Sequence, residues 1–167
     1  MKPSLRLLVL LGVLVTVPSA FIHPFGLMKA QRSDRPLLLD ASFDQHVVTI
    51  LERSCQDCHS EKTAWPLYSY VPPMSWMIES DVARARGHMN LSRWNGYPPE
   101  RQQEILSEIS GLVRNRVMPL PRYLLLHPEA RLSDAEVDYL YQWAKSERKR
   151  LKTASASANP AVTGSGQ

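Results

Sequence analysis

Cys55-Gln56-Asp57-Cys58-His59 is the stretch that decides how this chain is read. A C-x-x-C-H run is the attachment pattern of a c-type haem. Two thiols on one helical turn can each add to one of the porphyrin's two vinyl groups, and the adjacent imidazole falls where it can ligate the iron. Cys55 and Cys58 are the only two cysteines among 167 residues. Three other readings fit less well. A redox dithiol usually opens a helix after a strand, and no strand pattern precedes Cys55. Zinc would need about four ligands, whereas His46, His88 and His127 stand singly. A Cys55–Cys58 disulfide would close too short a loop to stabilise much.

Upstream of the motif, Ser42 and Gln45 have capping-box spacing and predict a helix. Phe43, Val47, Ile50, Leu51 and Ser54 form one stripe on it, delivering Cys55 and Cys58 to the same face, which a haem would cover. Downstream, the stretch 60–76 contains Pro66, Pro72 and Pro73, which exclude a regular helix through most of it. Its two Trp and two Tyr are more aromatic surface than a solvated loop carries, so it is expected to wrap and pack on the haem edge.

Ser75 is a candidate cap for a second helix running to about Met89, with Met77, Ile78, Val82 and Ala85 inward and Glu79, Arg84 and Arg86 outward. Pro98 and Pro99 suit the start of a third, with Ile105, Ile109, Leu112, Val113 and Val117 at spacings of three and four. Pro119 and Pro121 should stop it near Met118. Ser133 and Glu136 form a capping box, and Leu132 with Val137 a hydrophobic staple, for a last helix whose stripe is Val137, Leu140, Tyr141 and Ala144.

An iron held by His59 needs a sixth ligand in a small electron carrier, and Met opposite His raises the potential. The candidates are Met74, Met77, Met89, Met118, His46, His88 and His127. Met118 is the first choice, since it follows a helix and is fixed by Pro119, whereas a Met inside a helix is more often core filler. His88, His127 and an open or water-bound site remain alternatives.

Lys2 and Arg6 precede an apolar run from Leu7 to Val17, the layout of a secretory signal or a short membrane anchor. Neither Ala20 nor Ser19 completes a good small-x-small cleavage site, which favours an uncleaved anchor. The basic end would stay in the cytoplasm and the remainder face the periplasm, where covalent haem attachment takes place in bacteria. The domain expectation is therefore a signal or anchor over 1–27, a linker over the surface at 28–41, a haem-binding domain over 42–152 and a disordered tail over 153–167. The net charge of +4 is concentrated at the chain ends. No interleaved basic and aromatic pattern suggests nucleic-acid reading, so no nucleic-acid partner is expected.

The order of C-x-x-C-H, then Met118-Pro119, then a capped C-terminal helix resembles class I cytochromes c. More narrowly, the motif with Thr63-x-Trp65-Pro66-x-Tyr68-Ser69, Pro73-x-Ser75-Trp76, Arg86, Asn90-x-Ser92-x-Trp94, Met118-Pro119-x-x-x-Tyr123 and His127-Pro128 resembles the bacterial haem-binding domain family of exported, often membrane-anchored proteins. Leu67 and Ala85 depart from that pattern, where an aromatic and a Gly are usual. The resemblance implies a mostly α, cytochrome c-like bundle of about four helices around one covalent haem c, with an N-terminal hydrophobic helix. The expected function is single-electron transfer to an unidentified redox partner from the periplasmic side of the inner membrane. Cys55 and Cys58 would carry the haem, His59 and Met118 would ligate iron, and Trp65, Tyr68, Trp76 and Tyr123 would shield the ring. A haem sensor or a peroxidase-type enzyme with an open sixth site is the alternative.

Overall fold

The computed structural model describes residues 3–19, 21–26, 29, 33, 35, 37–38 and 43–158. Among them there is no strand, and the fold is mostly α, as the sequence predicts. The helices are α1 (Pro3–Ser19), α2 (Gln45–Ser54), α3 (Gln56–His59), α4 (Met74–His88), α5 (Pro99–Arg114) and α6 (Asp134–Ala158), with short 3₁₀ turns at Leu67–Tyr70, Leu91–Gly96, Tyr123–Leu125 and Pro128–Ala130. The chain divides into two compact units, each assembled from two separated stretches: Met1–Arg35 with Asp57–Asn90, and Pro36–Gln56 with Leu91–Gln167.

In the second unit, α5 packs on α6, and α2 packs on α6 and the turn at Pro128–Ala130. The predicted α2 stripe is buried at Val47, Ile50, Leu51 and Ser54. The cap differs from the sequence expectation. Asp44 holds the position, its Oδ1 accepting from the His46 N–H at 2.9 Å, while Ser42 lies outside the described residues. Both are cap-forming types, and Asp44 has a second partner to favour it: its other oxygen accepts from the Tyr139 hydroxyl on α6. Together these donors, the hydroxyl foremost, hold the Asp44 carboxyl below its ordinary range. The Phe43 ring meets Trp94 and Trp143 edge-on, at 5.6 and 5.2 Å between centroids.

The end of α5 is also corrected. It stops at Arg114, before the prolines can act, because Arg116 takes a left-handed φ of 56°. The Arg116 N–H donates to the Val113 carbonyl at 3.0 Å and the Val117 N–H to the Leu112 carbonyl at 2.9 Å, a Schellman closure that usually employs glycine. Ile105, Leu106, Ile109 and Val113 are buried, whereas Leu112 and Val117 are exposed.

The α6 capping box forms as predicted. The Ser133 N–H donates to Glu136 Oε2 at 2.8 Å, the Glu136 N–H to Ser133 Oγ at 3.2 Å, and Leu132 and Val137 are both buried. The helix then continues to Ala158, past Lys152 where the domain was expected to end. Residues 159–167 of the expected tail lie outside the described residues. In the expected surface linker, Leu37 and Leu38 are buried, and the Leu38 N–H donates to the Leu91 carbonyl at 3.0 Å.

In the first unit, α4 packs on the turn at Leu67–Tyr70, and its faces are the reverse of the expectation at two positions. Met77 is exposed, while Glu79 is completely buried beside Val82. Glu79 turns inward because donors reach it from the N-terminal stretch: the Lys29 ammonium at 3.0 Å and His23 Nδ1 at 3.1 Å. Lys29 also donates to the Ser69 carbonyl at 2.8 Å and lies over the Trp65 and Tyr70 rings. Ser75 is buried within α4 and does not cap it; Pro73 holds the N-cap position with no side-chain bond. The apolar side chains of α1 from Leu5 to Val17 are exposed. No helix among the described residues is long and apolar enough to cross a membrane.

Candidate functional site

The C-x-x-C-H stretch does not continue α2 as one helix. Cys55 is its C-cap, with φ −129° and ψ −25°, its N–H still donating to the Leu51 carbonyl at 2.9 Å. A new turn, α3, then carries Cys58 and His59. Both thiols are half-buried and are not joined by a disulfide. The turn is stitched to the chain that follows it. Thr63 Oγ1 donates to the Asp57 carbonyl at 2.6 Å, the Ala64 N–H to Asp57 Oδ1 at 2.9 Å, and Arg86 on α4 reaches the Ser60 carbonyl at 2.9 Å and Thr63 Oγ1 at 3.0 Å.

His59 has its ring fixed by the end of α4, with Nδ1 3.2 Å from the Met89 carbonyl oxygen. A carbonyl can only accept, so Nδ1 carries the proton and Nε2 keeps its lone pair. Burial is the largest influence on the ring and lowers its pKa, against the opposing pull of the Met89 and Ala85 carbonyls. A neutral imidazole with Nε2 available is what an iron ligand requires, and the bond at Nδ1 raises its basicity. The residues present therefore fit a haem on this side. The indole Nε1–H of Trp65 points the same way: it is buried with no hydrogen-bond partner among the described residues, a donor that a haem carboxylate would satisfy.

Trp65, Tyr68 and Trp76 lie in the same unit as Cys58 and His59, all half-buried. Trp76 Nε1 donates to the Ile22 carbonyl at 2.9 Å. The tyrosine that shares Lys29 with Trp65 is Tyr70. Cys55, Met118 and Tyr123 belong to the other unit. Met118 is half-buried beyond the Schellman turn, its N–H directed at the Leu112 carbonyl at 3.3 Å. The segment before it is pinned by Arg116, whose guanidinium donates to the Leu132 carbonyl at 2.7 Å and to Asp134. The Tyr123 ring stacks on His127 at 4.2 Å, and His127 Nδ1 is 3.2 Å from Glu129. Of the alternative ligands, His46 meets the Tyr139 ring edge-on and, like His88, is exposed. Met89 is buried.

Sequence reasoning missed the Met89 carbonyl, the Arg86 clamp and the Lys29–Glu79–His23 cluster. The first is a backbone atom with no residue signature. The other two join residues dozens of positions apart, although an Arg and a Glu on an otherwise mixed helix face were visible.

A family model described as a haem-binding domain matches residues 14–146. Cytochrome c peroxidase Ccp of Escherichia coli (strain K12) is 26% identical over 101 residues, covering 58% of this chain. The chain spans 22% of that relative's length. No solved structure matches. The family match runs through the C-x-x-C-H turn, the Arg86 clamp and the Met118 loop, and the chain belongs to the haem-binding domain family.

Proposed function

We propose that the chain is a monohaem c-type cytochrome domain that passes single electrons at the periplasmic face of the inner membrane, with α1 as its anchor. The observation that carries this reading is the His59 ring, oriented by the Met89 carbonyl within a C-x-x-C-H turn so that Nε2 is left for iron. Cys55 and Cys58 hold the haem through thioethers, His59 is the proximal ligand and Met118 the distal one. The bound haem supplies a one-electron ferric–ferrous couple. Trp65, Tyr68, Trp76 and Tyr123 would shield the ring and help set its potential by excluding water, and the Trp65 indole would be free to donate to a haem carboxylate. The electron partner is a separate redox protein.

The test is a haem-stained denaturing gel with reduced and oxidised spectra of the protein exported in a strain that assembles cytochromes c. A stained band with a low-spin spectrum and the long-wavelength band of Met-to-ferric ligation is expected. Met118→Ala should remove that band and lower the potential. Retention of both would overturn the distal assignment, and an unstained band would overturn the covalent haem. A second reading, a peroxidase-type enzyme with an open sixth site, is favoured by the similarity to cytochrome c peroxidase Ccp. Rapid carbon monoxide binding to the ferrous parent would support that reading over the six-coordinate carrier.

A further inference from the structure

We infer that Phe21, Ile22 and Phe25, together with Leu67, Tyr70 and Val71, form a membrane seat that holds the first unit against a phospholipid surface. This rests on the reading of α1 as the anchor.

The two stretches are tied together by bonds that cross the sequence. The Trp76 indole donates to the Ile22 carbonyl, Lys29 reaches the Ser69 carbonyl and lies over Tyr70 at 4.7 Å, and His23 and Lys29 both meet the buried Glu79. What these bonds bring together is apolar and uncovered. Phe21 is 80% exposed and Leu67 89%, and Ile22, Phe25, Tyr70 and Val71 are exposed as well. In a 3₁₀ turn residues three apart eclipse one another, so Leu67 and Tyr70 share one edge of the turn at Leu67–Tyr70. Single exposed apolar residues need no explanation, but a run of large ones on tied segments does.

Three observations select lipid as the occupant. First, the surface begins two residues beyond the exposed apolar helix α1, and the Phe21 and Ile22 N–H groups continue its turn by donating to the Pro18 and Ser19 carbonyls at 3.1 and 3.2 Å. At 1.5 Å per residue α1 is about 26 Å long, short of a hydrocarbon core of about 30 Å, so Phe21, Ile22 and Phe25 fall at the bilayer boundary. Second, there is no acidic residue from Phe21 to Ser33 or from Lys62 to Ile78, while Lys29 is basic. Such a face meets anionic headgroups without repulsion. Third, aromatics with a polar tip are the residues of membrane interfaces, and both Tyr70 and the neighbouring Trp76 are of this kind.

The test places a photoreactive benzoylphenylalanine in turn at Leu10, Leu67, Val71 and, as a reference on α6, the exposed Gln142. The full haem-loaded chain is irradiated in vesicles of phosphatidylethanolamine and phosphatidylglycerol, and adducts are identified by mass. Lipid adducts at Leu10, Leu67 and Val71, several-fold above those at Gln142, are the expected result. Lipid at Leu10 with none at Leu67 and Val71 would overturn the seat and leave the anchor standing. Adducts at Leu67 and Val71 to a second copy or another protein would do the same. No lipid at any of the three would overturn anchor and seat together.

Discussion

Replacing Glu79 by Gln removes a charge that the first unit has no room to leave unanswered. The Glu79 side chain is 0% exposed and accepts from Lys29 Nζ at 3.0 Å and from His23 Nδ1 at 3.1 Å. A hydrogen bond to a charged group contributes about 1.5–3 kcal/mol, and stranding one partner of a buried pair costs about 3–5 kcal/mol. Lys29 is only partly stranded. It keeps the Ser69 carbonyl at 2.8 Å and the faces of Trp65 and Tyr70, and its side chain is 18% exposed, so water recovers some of the loss. We therefore expect Glu79→Gln to destabilise by about 2–3 kcal/mol. The double variant Glu79→Leu with Lys29→Met should recover most of that, because both charges leave together. The assay is urea unfolding of the full chain in detergent micelles, followed by far-ultraviolet circular dichroism, with hydrogen exchange read over residues 21–29. Glu79→Gln should also speed exchange in that stretch. A midpoint shift worth less than about 0.5 kcal/mol, or a double variant no more stable than the single one, would refute the reasoning.

Four further outcomes follow from the second unit. Arg116→Ala should cost about 1 kcal/mol by losing the Leu132 carbonyl bond while keeping the left-handed backbone, and Arg116→Gly should recover part of it; equal thermal midpoints for the two would contradict this. Ser133→Ala should cost about 1 kcal/mol in denaturant unfolding. The Glu136 carboxyl is held below its ordinary 4.5, foremost by the Ser133 N–H and also by Arg53, so its contribution is present above that value and is lost as pH falls through the lowered folded value. Unfolding curves of the parent and Glu136→Gln should therefore differ at neutral pH and converge in acid, and a constant gap would contradict the linkage. Ile105, fully buried in α5, should cost about 0.5–1.5 kcal/mol as Val and about 2–5 kcal/mol as Ala in the same unfolding measurement.

The parts of the fold that could be read beforehand are those whose causes lie within one turn of sequence. The Ser133–Glu136 box and the α2 stripe involve partners three or four residues apart, and they form as the spacing dictates. The parts that could not be read depend on distant or backbone partners. Glu79 looks like a solvent residue until Lys29 and His23, some 50 residues earlier, are placed against it. Asp44 holds the cap position partly because Tyr139 arrives from α6. The early end of α5 rests on an arginine in a conformation that glycine usually marks. The extension of α6 shows no apolar stripe after Lys152. Its Thr153, Ser155 and Ser157 hydroxyls bond back to carbonyls one turn earlier, which costs the helix little among alanines. At the candidate site, Cys55, Cys58 and His59 announce themselves by spacing, but the atom that orients the imidazole has no side chain to announce it.

That atom changes which kinds of genetic variation this protein can absorb. Because a main-chain oxygen holds the His59 ring, no substitution at position 89 that preserves the backbone deletes the contact. A change in the length of α4 does. Inserting or removing one residue between Asp81 and His88 turns everything beyond it by about 100° and shifts it by about 1.5 Å, carrying the Met89 carbonyl away from Nδ1. The segment is thus permissive to point changes at its end and intolerant of single-residue indels along its length.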